Sequence, residues 1–353
     1  MKRQWKNGLP ATPDYFPIAV WLQSPENARR YGAAGINLYV ALWQGPTEKQ
    51  LAALKAAKMP VICEQNAVGL AHRDDPIIVA WMHGDEPDNA QSVTDPGTGK
   101  KGWGPCVPPE KIVADYQRLR AADPTRPILL NLGQGVANDG WKGRGSGAKL
   151  SDYQGYVKGG DIVSFDVYPV ASGLPLGLVP KGIDRLTQWS EGKKAVWNCL
   201  ECTHISGTRK ATPAQVRLET WRALIHGSRG LIYFVHEFAP KFNEHALLDD
   251  PEMLAAVTAT NRQIQGLAPV INALGATRGE GEGVEFRRRQ HAGATYLFAA
   301  ATGATSVLAR FPELPKDATA EVLGERRTIP VREGVLEDCF EPEAVHLYRI
   351  TKR

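Results

Sequence analysis

The chain has 353 residues, 43% of them hydrophobic and 23% charged, with a net formal charge of +4. That is an ordinary globular composition, long enough for one large domain and a small one. Nucleic acid is not an expected partner, because the single basic triplet, Arg287-Arg288-Arg289, lies in a predicted strand and reads as a solvated edge. No apolar run reaches the roughly 18 residues that a bilayer span needs, so no membrane partner is expected. The basic start, Met1 to Lys6, has no apolar segment behind it. The chain is therefore expected either to stay inside the cell or to have lost a signal peptide.

Eight apolar, β-branched or aromatic runs follow in order, at 17–23, 36–44, 60–66, 77–86, 127–133, 161–170, 194–203 and 231–237. They are continuous rather than alternating, which predicts strands covered on both faces, as in a parallel sheet. Helical patterns fill most of the gaps. Ser24 caps Pro25 to Tyr31 with proline at the first helical position, and Thr47 to Gln50 reads as a capping box. Glu110 to Ala122, Ile183 to Ser190, Pro213 to His226 and Pro251 to Leu267 carry helical spacing, while the third connection, 67–76, holds a turn of helix at most. Eight strands alternating with helices predict a (β/α)8 TIM barrel over residues 1–273, and no G-x-G-x-x-G follows the first strand. Beyond it, short strands at 284–288, 294–300, 306–310, 318–323 and 344–350 predict a small antiparallel β domain over 274–353, sandwich-like and packed on the barrel. Cys199 and Cys202 form a C-x-x-C, but on one strand they point to opposite faces and read as buried packing residues.

Barrel enzymes carry their chemistry on the loops after the strands. Those ends offer Trp21 and Gln23, Trp43 and Gln44, Glu64 and Asn66, Asp85 and Glu86, Asn131, Asp166 and Tyr168, Glu201 and His204, and His236 and Glu237. The long loops at 88–107 and 133–150 add Trp103 and Trp141. Carboxylates, amides and aromatics together suit a sugar, whose hydroxyls need paired donors and acceptors and whose apolar face stacks on rings. Glu86, in Gly84-Asp85-Glu86-Pro87-Asp88, and Glu201, in Asn198-Cys199-Leu200-Glu201-Cys202, each end a buried strand. One carboxyl that keeps its proton and one that stays ionised are the pair that cleaves a glycosidic bond.

With Glu86 ending the fourth strand and Glu201 the seventh, the chain resembles the clan A retaining glycoside hydrolases, the cellulase and β-galactosidase-like barrels. Gly84-Asp85-Glu86-Pro87 is similar to that clan's Asn-Glu-Pro motif, with Asp85 in place of the asparagine that holds the substrate 2-hydroxyl. The resemblance implies Glu86 as acid/base and Glu201 as nucleophile on a β-linked oligosaccharide or polysaccharide. Two further differences from the clan are a missing arginine after the second strand and a missing tryptophan after the eighth, where Phe234 or His236 would line the sugar subsite.

Each residue also has a plainer reading. Glu86 could be a salt-bridged loop carboxylate, although glycine before it and proline after it fix its geometry. An ionised Glu201 without a role would be expensive on a buried strand. Tyr168 is placed either to pack or to hydrogen-bond Glu201. His83 reads as a core histidine, and His204 and His236 as rim residues. Glu64 and Glu237 are rivals for either carboxyl role, and of Trp21, Trp43, Trp103 and Trp141 at least one is expected to stack on sugar. No His-x-His ends the first strand, which reads Trp21-Leu22-Gln23, so no metal or other cofactor is expected. Two other functions fit the same residues: a non-catalytic carbohydrate-binding barrel, and a carbohydrate lyase or isomerase using Glu and His. The sequence leaves the sugar, exo or endo action and the oligomeric state open.

Overall fold

A computed structural model describes residues 5–141 and 147–352; the first four residues of the basic start lie outside it. Eight parallel strands close into a barrel: β1 (Ile18–Trp21), β2 (Leu38–Val40), β3 (Val61–Glu64), β4 (Ile78–Asp85), β5 (Ile128–Leu132), β6 (Ile162–Phe165), β7 (Ala195–Val196 and Asn198–Glu201) and β8 (Leu231–Phe234). Pairing runs β1 to β2 and onward to β6, then to the first half of β7; the second half of β7 pairs with β8, and β8 with β1. The ring is thus complete, with Trp197 at the break within β7.

The strands read as unbroken apolar runs because each faces two cores. Ala19, Val40, Ile62, Met82, Leu129, Trp197, Cys199 and Ile232 fill the barrel interior. Ile18, Tyr39, Cys63, Leu130, Phe165, Leu200, Cys202 and Tyr233 face the surrounding helices. Cys199 and Cys202 accordingly lie in different cores, both free thiols. Helices occupy the expected gaps, among them Glu48–Ala57 with its capping box, Pro109–Ala122, Leu178–Trp189, Pro213–His226 and Pro251–Asn272. The third gap holds only Ala67–Ala71. Among the described residues no helix is long and apolar enough to cross a membrane.

After Asn272 the chain is antiparallel: β9 (Thr277–Gly281), β10 (Val284–His291), β11 (Ala294–Ala301), β12 (Val307–Phe311), β13 (Ala318–Val322), β14 (Arg327–Val331), β15 (Leu336–Phe340) and β16 (Val345–Lys352). A six-stranded sheet in the order β9-β10-β11-β16-β13-β14 is accompanied by a two-stranded sheet of β12 and β15, whose Phe311 meets Phe340 beside it and Tyr348 of the larger sheet. One face of the larger sheet packs on the barrel, where Phe298, Ala300, Val345 and Leu347 join the core that surrounds it. Trp221 of Pro213–His226 meets Phe298 at 5.2 Å between ring centroids.

The arginine triplet is not a solvated edge. β10 is paired on both sides, and alternation turns Glu285, Arg287 and Arg289 toward the barrel. Arg222 donates two hydrogen bonds to Glu285, from Nε at 2.8 Å and Nη2 at 3.1 Å. Arg287 donates to the Ile225 carbonyl at 2.7 Å and Arg289 to that of Ala273.

Candidate active site

The mouth at the carboxyl ends of the strands is shaped by an irregularity in β4. Its pairing with β5 shifts between Met82 and Asp85, so Asp85 pairs with Asn131. In a regular strand, Asp85 and Glu86 would point to opposite faces. A bulge removes that constraint, and Glu86 takes φ +43°, the left-handed region that disfavours a side chain. Its N–H donates to the Asn131 carbonyl at 3.1 Å, which fixes the turn. Leu22 and Ala41, just past β1 and β2, are also left-handed, at φ +47° and +63°. Backbone strain collected on one rim is a common mark of a working site.

The bulge brings two neighbouring carboxyls together with a third. Asn131 Nδ2 donates to Asp85 Oδ1 at 2.9 Å and to Asp166 Oδ1 at 3.3 Å, and Ser164 Oγ donates to Asn131 Oδ1 at 2.7 Å. Asp166 thus lies in the same cluster as Asp85 and its neighbour Glu86. Burial, and then the charges of Glu86 and Asp85, hold Asp166 well above the usual carboxylate range. Asp85, an exposed residue at the strand end whose carboxyl is enclosed by Asn131 and the neighbouring acids, is pushed up by that enclosure and then by Glu86 to about 7. Deeper in the wall, burial raises Asp88 to about 6 against hydrogen bonds from the Gly133 N–H and Tyr153 Oη. A group of acids this close must share protons at neutral pH. Cys199 and Tyr168 border the cluster, and both are raised by burial and then by Asp166, which keeps them neutral.

Glu201, the expected nucleophile, is held by other groups. It is 0% exposed, and both its oxygens are taken, Oε1 by the Val170 N–H and Oε2 by the Ala171 N–H, each at 2.7 Å. Glu219, from the helix outside β7, abuts it. No donor other than its own proton serves the Glu219 carboxyl oxygens among the described residues. Burial, and then Glu201, raise Glu219 well above its ordinary value, so it stays protonated and donates to Glu201. Tyr168 therefore does not serve Glu201; its ring lies 5.1 Å from that of Phe234, beside the Asp166 group.

The other expected residues are scattered around this centre. Trp21 belongs to the interior core beneath the mouth. Trp43 is 70% exposed on the rim after β2. Trp103 is exposed on a hairpin, Ser92–Thr94 with Lys101–Trp103, within the loop after β4. Trp141 is fixed by its Nε1 donating to Asn89 Oδ1 at 2.8 Å. His83 faces outward, with Nε2 at 3.2 Å from the Ile112 carbonyl. His204 is half-buried on the loop after β7. His236 is buried against Leu22 and Gln23 and held below its ordinary value by burial, hence neutral. Glu237 is tied through its backbone to Asn243. Glu64 lines a cleft of about 380 Å³ that opens beside Asp85, between β3, β4 and the helix Pro109–Ala122. That volume is in the range of small-ligand sites. Neither Glu86 nor Asp166 lines this cleft. Asp166 was visible in the sequence as the acid ending the sixth strand, but nothing there indicated its place in the cluster with Glu86. Among the described residues no group of three or more His, Cys, Asp or Glu side chains is arranged to hold a metal ion.

No family model matches the chain, and no curated protein matches it in sequence. Solved structures do match along its whole length. An α-amylase from Geobacillus thermoleovorans, complexed with acarbose, is similar at TM-score 0.59 and 12% identity, covering 100% of both chains. A β-L-arabinopyranosidase from Geobacillus stearothermophilus, in complex with arabinose, has a TM-score of 0.53 at 11% identity, covering 96% of this chain and 98% of the other. An α-amylase from Lactobacillus plantarum gives 0.53 at 12%, with 96% and 99% covered. At such identities the likeness establishes the fold, a TIM barrel followed by an antiparallel β domain. It agrees with the sequence resemblance to glycoside hydrolase barrels.

Proposed function

We propose that this protein is a glycoside hydrolase whose two working carboxyls are Glu86 and Asp166, acting on an oligosaccharide or polysaccharide. The observation that carries this reading is the gathering of acids at the carboxyl ends of β4 to β6, where Asn131 donates to both Asp85 and Asp166 and Glu86 follows Asp85 on the bulged strand. The fold neighbours, two amylases and an arabinopyranosidase, include structures holding acarbose and arabinose, which favours a carbohydrate ligand.

Asp166, held above the usual carboxylate range, takes the acid role, which reverses the one that the resemblance implied for Glu86. Asp166, the acid, protonates the glycosidic oxygen as the bond to the anomeric carbon breaks. Glu86 attacks that carbon and forms a glycosyl ester. Asp166, now ionised, takes a proton from water as the water oxygen displaces Glu86, and both groups return to their starting states. The retaining route is proposed on the likeness of Gly84 to Asp88 to the motif of the retaining clan A enzymes. Asn131 orients Asp85 and Asp166 together, and ionised Asp85 stabilises positive charge developing on the sugar ring. The β configuration of the bond rests on the likeness of Gly84 to Asp88 to the clan A motif.

Leaving-group dependence tests the assignment. Asp166→Ala should lose two to four orders of magnitude on phenyl glycosides but little in the glycosylation step on dinitrophenyl glycosides, whose leaving group needs no proton. Glu86→Ala should be inactive on both. Equal losses on both substrates in Asp166→Ala would remove it from the acid role.

A further inference from the structure

An unbroken series of aromatic rings leads out of the mouth along the loop after β8. Tyr168 borders the Asp166 group and meets Phe234 at 5.1 Å between centroids. Phe234 meets Phe238 at 6.2 Å, and Phe238 meets Phe242 at 5.7 Å. Buried His236 backs the series, lying nearly parallel to Phe238 at 12° and to Phe242 at 23°. The outer two rings are in the open, Phe238 at 52% and Phe242 at 57% exposure. Leaving two phenylalanines in water on a braced loop is unfavourable unless a ligand covers them.

We propose that Phe238 and Phe242 are stacking positions for successive sugar units of a chain whose scissile bond lies at Glu86 and Asp166, so that the natural substrate is an oligosaccharide or polysaccharide several units long. This rests on the hydrolase reading for its starting point. The occupant follows from continuity: the rings step outward from the carboxyl pair at intervals comparable to one sugar unit, and each is held in place by the next. The neutral rings of Phe234, Phe238 and Phe242 suit the apolar face of a pyranose. The hairpin bearing Trp103 stands across the barrel, since β4 lies opposite β8 in the ring, and would flank the chain on its other side.

The test compares aryl glycosides of glucose, xylose, mannose and galactose, from one sugar unit to six, and native electrophoresis through gels containing the corresponding soluble polysaccharides. In wild type, kcat/KM should rise with chain length on the preferred sugar, and its polysaccharide should retard migration. Phe238→Leu and Phe242→Leu should each reduce the long-to-short ratio of kcat/KM roughly tenfold and weaken the retardation, because leucine keeps the apolar bulk but not the ring face. Phe238→Tyr should keep both. Leu308→Ala, at an exposed leucine on β12, should change neither. Leucine variants that behave as wild type would overturn the proposal, and so would a wild-type rate independent of chain length. A dimer in sedimentation that Phe242→Leu converts to monomer would overturn it too, by giving the surface to a second copy. Retardation without hydrolysis, lost in the leucine variants, would sink the hydrolase reading and leave the sugar track standing. Hydrolysis of single-unit glycosides with neither retardation nor length dependence would do the reverse.

Discussion

Arg222→Met should destabilise the chain by about 3 kcal/mol, through the junction of barrel and β domain. Arg222 and Glu285 form a two-point ion pair at 2.8 and 3.1 Å, with side chains 9% and 6% exposed. Removing one partner of a buried pair typically costs about 3–5 kcal/mol, because the charge left behind is desolvated and unpaired. Here the lower figure applies, since His226 Nε2 remains 3.2 Å from Glu285 Oε2. Replacing both partners, in Arg222→Met with Glu285→Met, leaves no orphaned charge and should return stability to within about 1 kcal/mol of wild type. Urea unfolding followed by far-ultraviolet circular dichroism measures both differences. A single variant losing less than about 1 kcal/mol, or a double variant as unstable as the single, would refute the reasoning.

The same junction has a pH signature. Burial pushes the His226 imidazole down, but its hydrogen bond to Asp184 and the nearby Glu285 carboxylate outweigh it and hold it above its ordinary value. Its contribution is therefore complete below the unfolded value of about 6.5 and is lost as pH rises through the folded one. The stability difference between wild type and His226→Gln, from urea titrations across pH, should shrink above neutrality; a difference that grows there would reverse the sign. At the mouth, ionisation of Asp85 near 7 should give an acid limb in kcat/KM that Asp85→Asn removes; an unchanged profile would take Asp85 out of the reaction. Glu219→Gln should remove the loss of stability that wild type suffers as pH rises through the raised carboxyl pair. Its rate on aryl glycosides should stay within a few-fold of wild type, and a large loss of rate would return Glu201 to the chemistry.

The barrel was legible because its strands are buried on both faces, so continuous apolar runs marked all eight. What sequence spacing could not convey is where a strand departs from regularity. Alternation puts Glu201 in line with Trp197 and Cys199, facing inward, yet its carboxylate is captured by amides of another loop and by Glu219 on a helix. None of those partners is near it in sequence. Conversely, Asp85 and Glu86 reach the mouth together only because β4 is bulged, and Asp166 acquires meaning only from their presence. In the β domain, β9 was missed because Thr277–Gly281 is exposed and has no apolar alternation. β14 was missed because Pro330 interrupts it, which an edge strand tolerates. The arginines of β10 were misjudged because their burial depends on the barrel helices beneath them.

The most direct test of the central claim, that Glu86 attacks and Asp166 supplies the proton, is the configuration of azide products from the two alanine variants with dinitrophenyl glycosides. Asp166→Ala should still form the glycosyl-enzyme on Glu86, and azide, which needs no base, should release a glycosyl azide of the same configuration as the substrate. Glu86→Ala should admit azide at the vacated position and give the opposite anomer by direct displacement. Reversed products would exchange the two roles. Turnover near wild type in both variants, with no azide product, would place the chemistry elsewhere on the molecule.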